Sequence, residues 1–475
     1  MTGWILRGAL VAGATALLSW GFIRFLVLTA RRRGHLAVVR ADRWHAAPTP
    51  IVGGIGIALS VVVGLALARG VLDEFRDATS AAAGCVIALL AGSVGAAAMG
   101  FWDDLAHFVP STKLAAQCVC AGVFLWMTGG IELSGSAPID GALSLIWIVS
   151  VMNAVNMLDN MDGVAGTAVT VGLLGIATVN AVSGNLAIAM IALVCAGAVV
   201  GFLGHNMPRA RVFMGDAGSL FLGFMLAALV LLGPRSTIPV TGFGCALVPL
   251  LDMTIVSFCR IRRGASPMRG GRDHMTHRLV ARGLSEGGVV WLVGVVAASG
   301  AVAASLAAMW SSIAGTCLVA LAAGFVCAGA LLLRMCIQVD GPSDVRSAAF
   351  SPFVKVLLDV VTVSALLHLG YLIRWDFEIP PELTNSVAWS LPVALGCCIG
   401  VNALRGEYVR SWRWTGAGTR RAVESSFVGA VCATTVIVAV WSPDRLFSRA
   451  ATGIFLVGYP LATVAVRTAV GWIVR

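Results

Sequence analysis

The sequence predicts an all-α fold, a polytopic helical membrane protein with about 15 transmembrane helices. Of its 475 residues, 58% are hydrophobic and only 12% are charged. An average soluble domain has about 25% charged residues, so the composition excludes an ordinary soluble enzyme. The apolar residues form continuous runs of roughly 18 to 25 residues, which is the length of helix that crosses the hydrocarbon core of a bilayer.

Fifteen apolar spans follow one another along the chain, and the short fifth span is a candidate re-entrant segment. Because no small-residue cleavage site follows the first span, we expect it to be retained as a helix. The approximate limits of the spans are 8–30, 51–69, 81–101, 114–131, 143–157, 165–183, 186–204, 218–233, 238–259, 288–309, 313–333, 353–373, 386–403, 425–441 and 449–466.

Three regions are predicted from these spans. About eleven of the spans form a core, residues 1–338. Gly, Pro, Ser and Asp occur together in residues 339–352, which predicts a linker. The remaining four spans form a C-terminal membrane region, 353–475, of unknown role.

Lysine and arginine are divided unevenly between the two sides that the fifteen spans define. Loops after odd-numbered spans contain 25 of the 33 basic residues, the opposite side contains seven, and Arg24 lies within the first span. Basic loops stay in the cytoplasm, so we expect the N-terminus outside. The same asymmetry accounts for the net charge of +10 without nucleic acid as a partner.

Two adjacent carboxylates, Asp103 and Asp104, follow the third span, and Lys113 comes soon after them. Adjacent carboxylates repel each other, and negative charge is unfavourable at the C-terminal end of a helix. A divalent metal or a role in proton transfer would account for the pair. The alternative interpretation is a solvated helix end.

A second polar segment lies between the fifth and sixth spans. Asn156, Asp159 and Asp162 are three residues apart, so a continuous helix would place them along one edge. Such a row of oxygen atoms suits a hard cation or a hydrogen-bonding ligand. The alternative is a turn that caps the sixth span.

A third segment places Asp216 between Gly215 and Gly218 at the start of an apolar helix. Glycines let backbone amides approach a phosphate, and a helix N-terminus favours anions. Asp216 then makes sense as a ligand of a metal that also holds the phosphates. The alternative is a helix cap with turn glycines.

The fourth segment, the basic loop from Arg260 to Arg282, contains seven arginines together with His274 and His277. Arginine and histidine together suit recognition of phosphate. The loop has too few ligands for a zinc site.

In their order along the chain, these segments resemble the motifs of the polyprenyl-phosphate N-acetylhexosamine-1-phosphate transferases (glycosyltransferase family 4, MraY/WecA-like). The resemblance covers roughly residues 1–335. Two positions depart from the family pattern, because Asn160 stands where glycine is frequent and Thr276 where many members have histidine. The second departure favours the polysaccharide-priming branch over the muropeptide branch. The matching segments are 48–54, 103–104 with Lys113, 153–163, 206–219 and 272–279.

The resemblance implies transfer of a sugar 1-phosphate from a UDP-sugar, by default UDP-N-acetylglucosamine, to polyprenyl phosphate, with release of UMP. This would be the first membrane step of cell-envelope polysaccharide synthesis, at the cytoplasmic face of a bacterial plasma membrane. Asp103, Asp104 and Asp216 would be catalytic, with Asp103 orienting or deprotonating the lipid phosphate. Mg²⁺, or Mn²⁺ in its place, would be bound by Asp216 and Asp103.

The resemblance also implies a set of substrate-binding residues. Phe213 would stack on uracil, and basic side chains would contact the phosphates. The full set is Lys113, Asn156, Asp159, Asp162, Asn206, Phe213, His274, His277 and Arg278.

Residues 353–475 resemble the membrane region of polysaccharide-biosynthesis epimerase/dehydratase proteins, through the segments 353–359 and 406–414. We do not carry over epimerase activity, because no Gly-x-Gly-x-x-Gly motif occurs there. The aromatic and basic stretch from Tyr408 to Arg421 either lies on anionic lipid headgroups or docks a polysaccharide-assembly enzyme.

Two other classes of function stay open at this stage. An ion-coupled transporter would use charges at mid-membrane, for which Asp252 in the ninth span is the candidate. An inactive scaffold for a polysaccharide-assembly complex is the other class.

Overall fold

The computed structural model describes residues 2–32, 49–106, 108–132, 136–266, 271, 273–281, 283–309, 381–408, 416–439 and 449–473, with single residues between 359 and 370. All regular elements in these ranges are helical. The prediction of an all-α polytopic membrane protein is therefore confirmed. The chain divides into two compact units, Met1–Met309 and Trp310–Arg475. The predicted linker lies outside the described residues, so the domain boundaries stay predictions.

Thirteen α-helices are described in the first unit. Between α9 and α10 lies a short 3₁₀ turn, Arg235–Thr237. The helices are α1 (Thr2–Arg32), α2 (Gly53–Val71), α3 (Asp73–Ala81), α4 (Ala83–Ala106), α5 (Pro110–Thr128), α6 (Ala137–Leu158), α7 (Val164–Val182), α8 (Leu186–Asn206), α9 (Gly215–Leu231), α10 (Ile238–Cys245), α11 (Leu247–Arg262), α12 (Met275–Ala281) and α13 (Glu286–Met309).

Eight of the described helices are long and apolar enough to cross a membrane, or nine if one bent pair counts as a single span. The first eight predicted spans and the tenth each coincide with one helix of the first unit. The fifth span is a full helix, α6, of 22 residues. The predicted span 313–333 and most of 353–373 lie outside the described residues.

The ninth predicted span, 238–259, is wrong as a continuous helix. It is divided at Ala246, between α10 and α11. The chain also bends by 116° just before this span, between α9 and the helical segment Arg235–Cys245. Proline causes the bend after α9, because Pro234 has an extended backbone (ψ 124°) immediately before the 3₁₀ turn. Asn185 Nδ2 compensates by donating to the Leu232 carbonyl at the end of α9 (3.2 Å).

Helix α9 is buried on all sides over Ala217–Leu231, as expected of a helix that is apolar all round. It packs against α4 and α6 and runs antiparallel to both. Glycines make the contacts close, because a Cβ at Gly92 would lie 2.1 Å from the Phe224 ring, and one at Gly223 would lie 2.6 Å from Met152 Cα. The N-terminus of α9 therefore meets the C-terminal ends of α4 and α6.

The described ion pairs between distant segments join loops that the span count assigns to one side. Arg7 Nη1 lies 3.3 Å from Glu74 Oε1, and Arg235 pairs with Glu132. All four residues belong to the side predicted to be outside. The acidic residues that the sequence places on the other side meet one another, as described below. The alternating arrangement of the first unit thus agrees with the contacts.

Three helices are described in the second unit: α14 (Pro381–Leu404), α15 (Gly416–Ala439) and α16 (Arg449–Ile473). Their apolar core includes Cys398 and the stacked rings of Phe455 and Tyr459. A buried polar cluster lies beside this core. Asn402 Nδ2 donates to Asp359 Oδ2 (2.8 Å) and to Tyr459 Oη (3.0 Å).

Further donors complete this cluster. The Tyr408 hydroxyl donates to the same Asp359 oxygen (2.7 Å), and Ser425 Oγ donates to Asn402 Oδ1 (2.6 Å). Asp359 and Asn402 are buried. Because water is absent from a bilayer core, such bonds link helices specifically. The cluster therefore brings together Asp359 and Tyr408, which the sequence singled out separately.

We expect Asp359→Leu to loosen the second unit, because it leaves the Tyr408 hydroxyl and one Asn402 proton without their acceptor, at a cost of about 1–3 kcal/mol. Asp359→Asn keeps a carbonyl acceptor and should cost less. The measurement is the rate at which a thiol reagent labels the buried Cys398, resolved by mass spectrometry. Equal labelling rates in wild type, Asn and Leu variants would contradict this account of the cluster.

Candidate functional site

Lys113, in the first turn of α5, connects side chains from three other helices. Its ammonium lies 3.0 Å from Asp103 Oδ2 on α4 and forms an ion pair with Asp216 on α9. It also donates to Asn156 Oδ1 on α6 (3.3 Å). The Lys113 side chain is only 16% exposed. The structure thus brings together four residues that the sequence predicted, and we call this group, with Asp104 and Ser219, the acidic centre.

Asn156 orients Asp216 within this centre. Its Nδ2 group donates to Asp216 Oδ1 (2.8 Å) and to Ser219 Oγ (2.9 Å). Ser219 is fully buried and lies one helical turn after Asp216. We did not predict Ser219 as a site residue, although the three-residue spacing after Asp216 puts both side chains on one face of α9.

Asp104 has a different role from its neighbour. Its carboxylate accepts hydrogen bonds from the backbone N–H groups of Asp216 (3.0 Å) and Ala217 (3.2 Å). No side chain of α9 itself caps this helix. Asp104 therefore caps the N-terminus of α9 from α4, where a carboxylate is favoured by the helix dipole. Two amides of the helix start at which the sequence suggested phosphate binding are therefore occupied by this carboxylate.

The approach of α4 to α9 depends on glycine at two positions. A Cβ at Gly100 would lie 2.2 Å from the Asp216 carbonyl oxygen. Gly215 has φ +69°, and a Cβ there would lie 2.6 Å from Asp104 Oδ2. Glycine adopts this conformation without steric cost, so the backbone can turn into α9 directly beside Asp104.

The segment Pro50–Gly54 holds the other side of the turn before α9. The N–H groups of Gly53 and Gly54 donate to the carbonyls of Phe213 (3.0 Å) and Met214 (2.9 Å), and the Phe213 N–H donates to the Pro50 carbonyl (2.9 Å). The Phe213 side chain is half-buried. This segment therefore fixes the backbone of Phe213, whose stacking on uracil stays a prediction.

The prediction that Asn156, Asp159 and Asp162 share one helix edge is wrong. Helix α6 ends at Leu158, Asp159 is its C-cap, and the chain turns at Gly163 (φ +75°) into α7. Asp162 consequently lies in the turn after the helix, and its Oδ2 accepts from the Ala210 N–H (2.8 Å). The continuous-helix assumption fails because the turn intervenes after Asn156.

Asn206 joins the same two loops. Its Oδ1 accepts from the Gly163 N–H (3.0 Å), and its Nδ2 donates to the Val212 carbonyl (2.9 Å). Asn206 and Asp162 are both buried. They therefore brace the α6–α7 loop against the segment that leads into α9, and their contact with the nucleotide stays a prediction.

The basic loop that contains His274 and His277, which we call the histidine loop, is anchored on α11. His274 Nδ1 lies 2.8 Å from Asp252 Oδ2, and the Met275 N–H donates to Asp252 Oδ1 (2.8 Å). Asp252 is fully buried. Because a carboxylate accepts, His274 donates through Nδ1, which leaves Nε2 on the opposite side of the ring. The rings of His274 and His277 lie 6.1 Å apart, edge to face.

Arginines fix the start of this loop. Arg260 donates through Nε (3.0 Å) and Nη2 (2.6 Å) to the two carboxylate oxygens of Asp273. Burial acts to raise the pKa of Asp273, but the hydrogen bonds and charge of Arg260 hold it below its ordinary value. Arg278 Nε donates to the Asp273 carbonyl (2.7 Å). We call Asp252, Asp273, His274, His277 and Arg278 the histidine cluster.

Comparison with known proteins places this architecture in a family. Residues 86–233 match the model of glycosyl transferase family 4. A Streptomyces coelicolor protein named as a glycosyltransferase is 34% identical over 361 residues, which are 71% of this chain and 80% of the relative. The chain belongs to glycosyltransferase family 4.

Two further relatives have names that state a substrate. The decaprenyl-phosphate N-acetylglucosaminephosphotransferase of Mycobacterium leprae is 31% identical, over 62% of this chain and 83% of the relative. The phospho-N-acetylmuramoyl-pentapeptide-transferase of Limosilactobacillus fermentum is 31% identical, over 62% of this chain and 98% of the relative. The family that the sequence motifs suggested is thereby confirmed.

The family 4 match spans α4 to α9, the helices that carry the acidic centre. The histidine cluster lies beyond the matched residues. The acidic centre and the helices that hold it are thus the part of this chain that the family model describes.

We expect Gly100→Ala to destabilise the first unit, because overpacking α4 against the backbone of α9 costs about 1–3 kcal/mol. Gly84→Ala on the same helix is the matched control, since no atom lies within 4 Å of a Cβ there. The measurement is the midpoint of thermal unfolding in detergent. A Gly100→Ala protein as stable as the Gly84→Ala protein would contradict the close approach of α4 and α9.

Proposed function

We propose that this family 4 protein transfers a sugar 1-phosphate from a UDP-sugar to polyprenyl phosphate and releases UMP. N-acetylglucosamine is the first candidate sugar, since one relative is named for its phosphotransfer. The observation that carries the proposal is the acidic centre, where Asp103 and Asp216 from two helices meet one ammonium. This arrangement concentrates both signs of charge at the end of a membrane-embedded bundle, where a lipid phosphate and a soluble nucleotide can meet.

The chemistry needs charge neutralisation more than it needs a base. A phosphate monoester has a second pKa of about 6, so the lipid phosphate is already largely ionised at pH 7. One of its oxygens attacks the β-phosphorus, the bond from that phosphorus to the bridging oxygen breaks, and the electron pair leaves with UMP. Two anions must approach each other, and the Lys113 ammonium lowers the cost of their repulsion.

The acidic centre fits a divalent cation. Three side-chain oxygens, from Asp103, Asp216 and Asn156, surround the single Lys113 nitrogen, so the site already gathers hard donors about one positive charge. Within the described ranges no three His, Cys, Asp or Glu side chains form a metal site by themselves. Mg²⁺ is usually bound in this way, through one or two carboxylates together with substrate phosphates.

We therefore assign Asp216 and Asp103 as ligands of Mg²⁺, with Mn²⁺ as a substitute. When bound, the cation would neutralise charge that develops on the transferred phosphoryl group. Asp104 would act as a positioning residue that holds the backbone of Asp216, since its carboxylate is engaged by two amides.

The histidine cluster is the proposed site for the diphosphate of the donor. His274 is held by Asp252 through Nδ1, so its Nε2 is the nitrogen that can face a phosphate oxygen when the ring is protonated. Arg278 and His277 add donors from the same short helix, α12. Phe213 and Asp159 stay proposed nucleotide contacts.

We propose that the acidic centre faces the cytoplasm of a bacterial plasma membrane. The basic residues of the connecting loops, including the seven of the histidine loop region, support this orientation. The C-terminal unit would contact membrane lipid or polysaccharide-assembly enzymes.

The transporter alternative receives no support from the site. It required Asp252 to act as a mid-membrane charge, but both oxygens of this carboxylate bind the histidine loop. The residues expected of an active centre also converge, which disfavours an inactive scaffold.

We expect Asp216→Asn and Asp103→Asn to lower UMP release by about 100-fold or more, the scale of losing one group that stabilises transition-state charge. The assay uses purified protein, polyprenyl phosphate, UDP-N-acetylglucosamine and Mg²⁺, with UMP and the lipid product quantified. Asp77→Asn, at an exposed position on α3, is the control and should keep wild-type turnover.

A chelator should abolish turnover of the wild type, and added Mg²⁺ should restore it. Full activity in excess chelator would overturn the metal assignment. Full activity of Asp216→Asn and Asp103→Asn would remove the acidic centre from the reaction.

A further inference from the structure

The two positions at which the sequence departs from the family pattern contact each other. The Thr276 hydroxyl on α12 donates a hydrogen bond to Asn160 Oδ1 in the α6–α7 loop. The positions are 116 residues apart in the chain. Thr276 is fully buried, so bulk water cannot replace Asn160 as the partner of its hydroxyl. Two departures that looked independent in the sequence are therefore one physical unit.

The geometry of Asn160 suits this single partner. Its Nδ2 group donates to the Met157 carbonyl at the end of α6 (2.8 Å), which turns Oδ1 toward Thr276. Glycine at position 160 would remove both hydrogen bonds. Valine at position 276 would keep the shape of threonine and remove only the donor.

Each end of this bond belongs to a braced segment. On one side, Asp252 holds the residues next to Thr276 through His274 and the Met275 N–H. On the other side, Asp162 and Asn206 tie the α6–α7 loop to the segment that leads into α9. The α6–α7 loop is thus hydrogen-bonded at Asn160 to the helix of the histidine cluster, and at Asp162 and Gly163 to the segment before Asp216.

We infer that Asn160 and Thr276 act as a matched pair of positioning residues, which fixes the histidine cluster relative to the α6–α7 loop and thereby sets the affinity for the donor diphosphate. This inference rests on the proposed function, in which that cluster binds the UDP-sugar. Because neither side chain forms a described bond to Lys113 or Asp216, the pair should act on binding of the donor and leave the chemical step nearly unchanged.

The test is a double-mutant cycle with wild type, Asn160→Gly, Thr276→Val and the double variant. We expect each single variant to raise the KM for UDP-sugar about tenfold, the scale of one buried hydrogen bond, while kcat changes by less than about threefold. The double variant should be no worse than Asn160→Gly alone, because once Asn160 is removed the Thr276 hydroxyl has no shared bond left to lose. Thr276→Ser keeps the hydroxyl and should keep a KM near that of wild type.

Two outcomes would overturn the pairing: KM effects that multiply in the double variant, or a Thr276→Ser protein as impaired as Thr276→Val. A fall in kcat at unchanged KM would show that the residues act on the chemical step instead.

Calorimetric binding of UDP-N-acetylglucosamine, measured on the same four full-length proteins, separates this inference from the proposed function. A wild type that binds the nucleotide sugar without releasing UMP would contradict the function. The same double-mutant cycle, measured as dissociation constants, would then still show whether Asn160 and Thr276 act as a pair. A wild type that shows no binding would overturn the inference.

Discussion

The arrangement of the first unit depends on a single ammonium group held among three helices. Lys113 on α5 meets Asp103 on α4, Asp216 on α9 and Asn156 on α6, and all of these side chains are at least partly buried. Buried carboxylates without a cation would be strongly unfavourable, since desolvation and mutual repulsion both oppose their charge. The lysine therefore makes it physically tolerable to bring the acidic helix ends together, and the same charges become available to a phosphate-bearing substrate.

Several features of the packing allow those helix ends to meet. The antiparallel packing of α9 against α4 and α6 places the positive end of one helix dipole beside the negative ends of two others. Gly100 allows backbone contact between α4 and α9. Asp104 accepts hydrogen bonds from the first amides of α9, which have no partner within that helix. Asp162 and Asn206 tie the α6–α7 loop to the segment before α9, and Asn160 of the same loop contacts Thr276 beside the histidine cluster. Precision of this kind suits phosphoryl transfer, where catalysis consists mostly of positioning and charge stabilisation.

The sequence predicted the elements of the fold well, because apolar runs of membrane length are a strong signal. It also placed Asp103, Asn156 and Asp216 on one side of the membrane. Where it failed, tertiary contacts decided the outcome. A break at Ala246 divided the predicted span 238–259, and the turn at Gly163 ended the helix that residue spacing alone extended to Asp162. The capping role of Asp104 and the bond between Asn160 and Thr276 depend on which distant backbone lies nearby, and spacing along the chain carries no such information.

The family is named for glycosyl transfer, whereas the reaction proposed for this chain is attack at phosphorus and not at the anomeric carbon of the sugar. The most direct measurement is to incubate the purified protein with polyprenyl phosphate and UDP-N-acetylglucosamine radiolabelled at the β-phosphorus. Attack at phosphorus predicts that the label moves into a polyprenyl diphosphate sugar and that the released UMP is unlabelled. Recovery of the label in UDP, with a lipid that gained only the sugar, would contradict the proposed reaction.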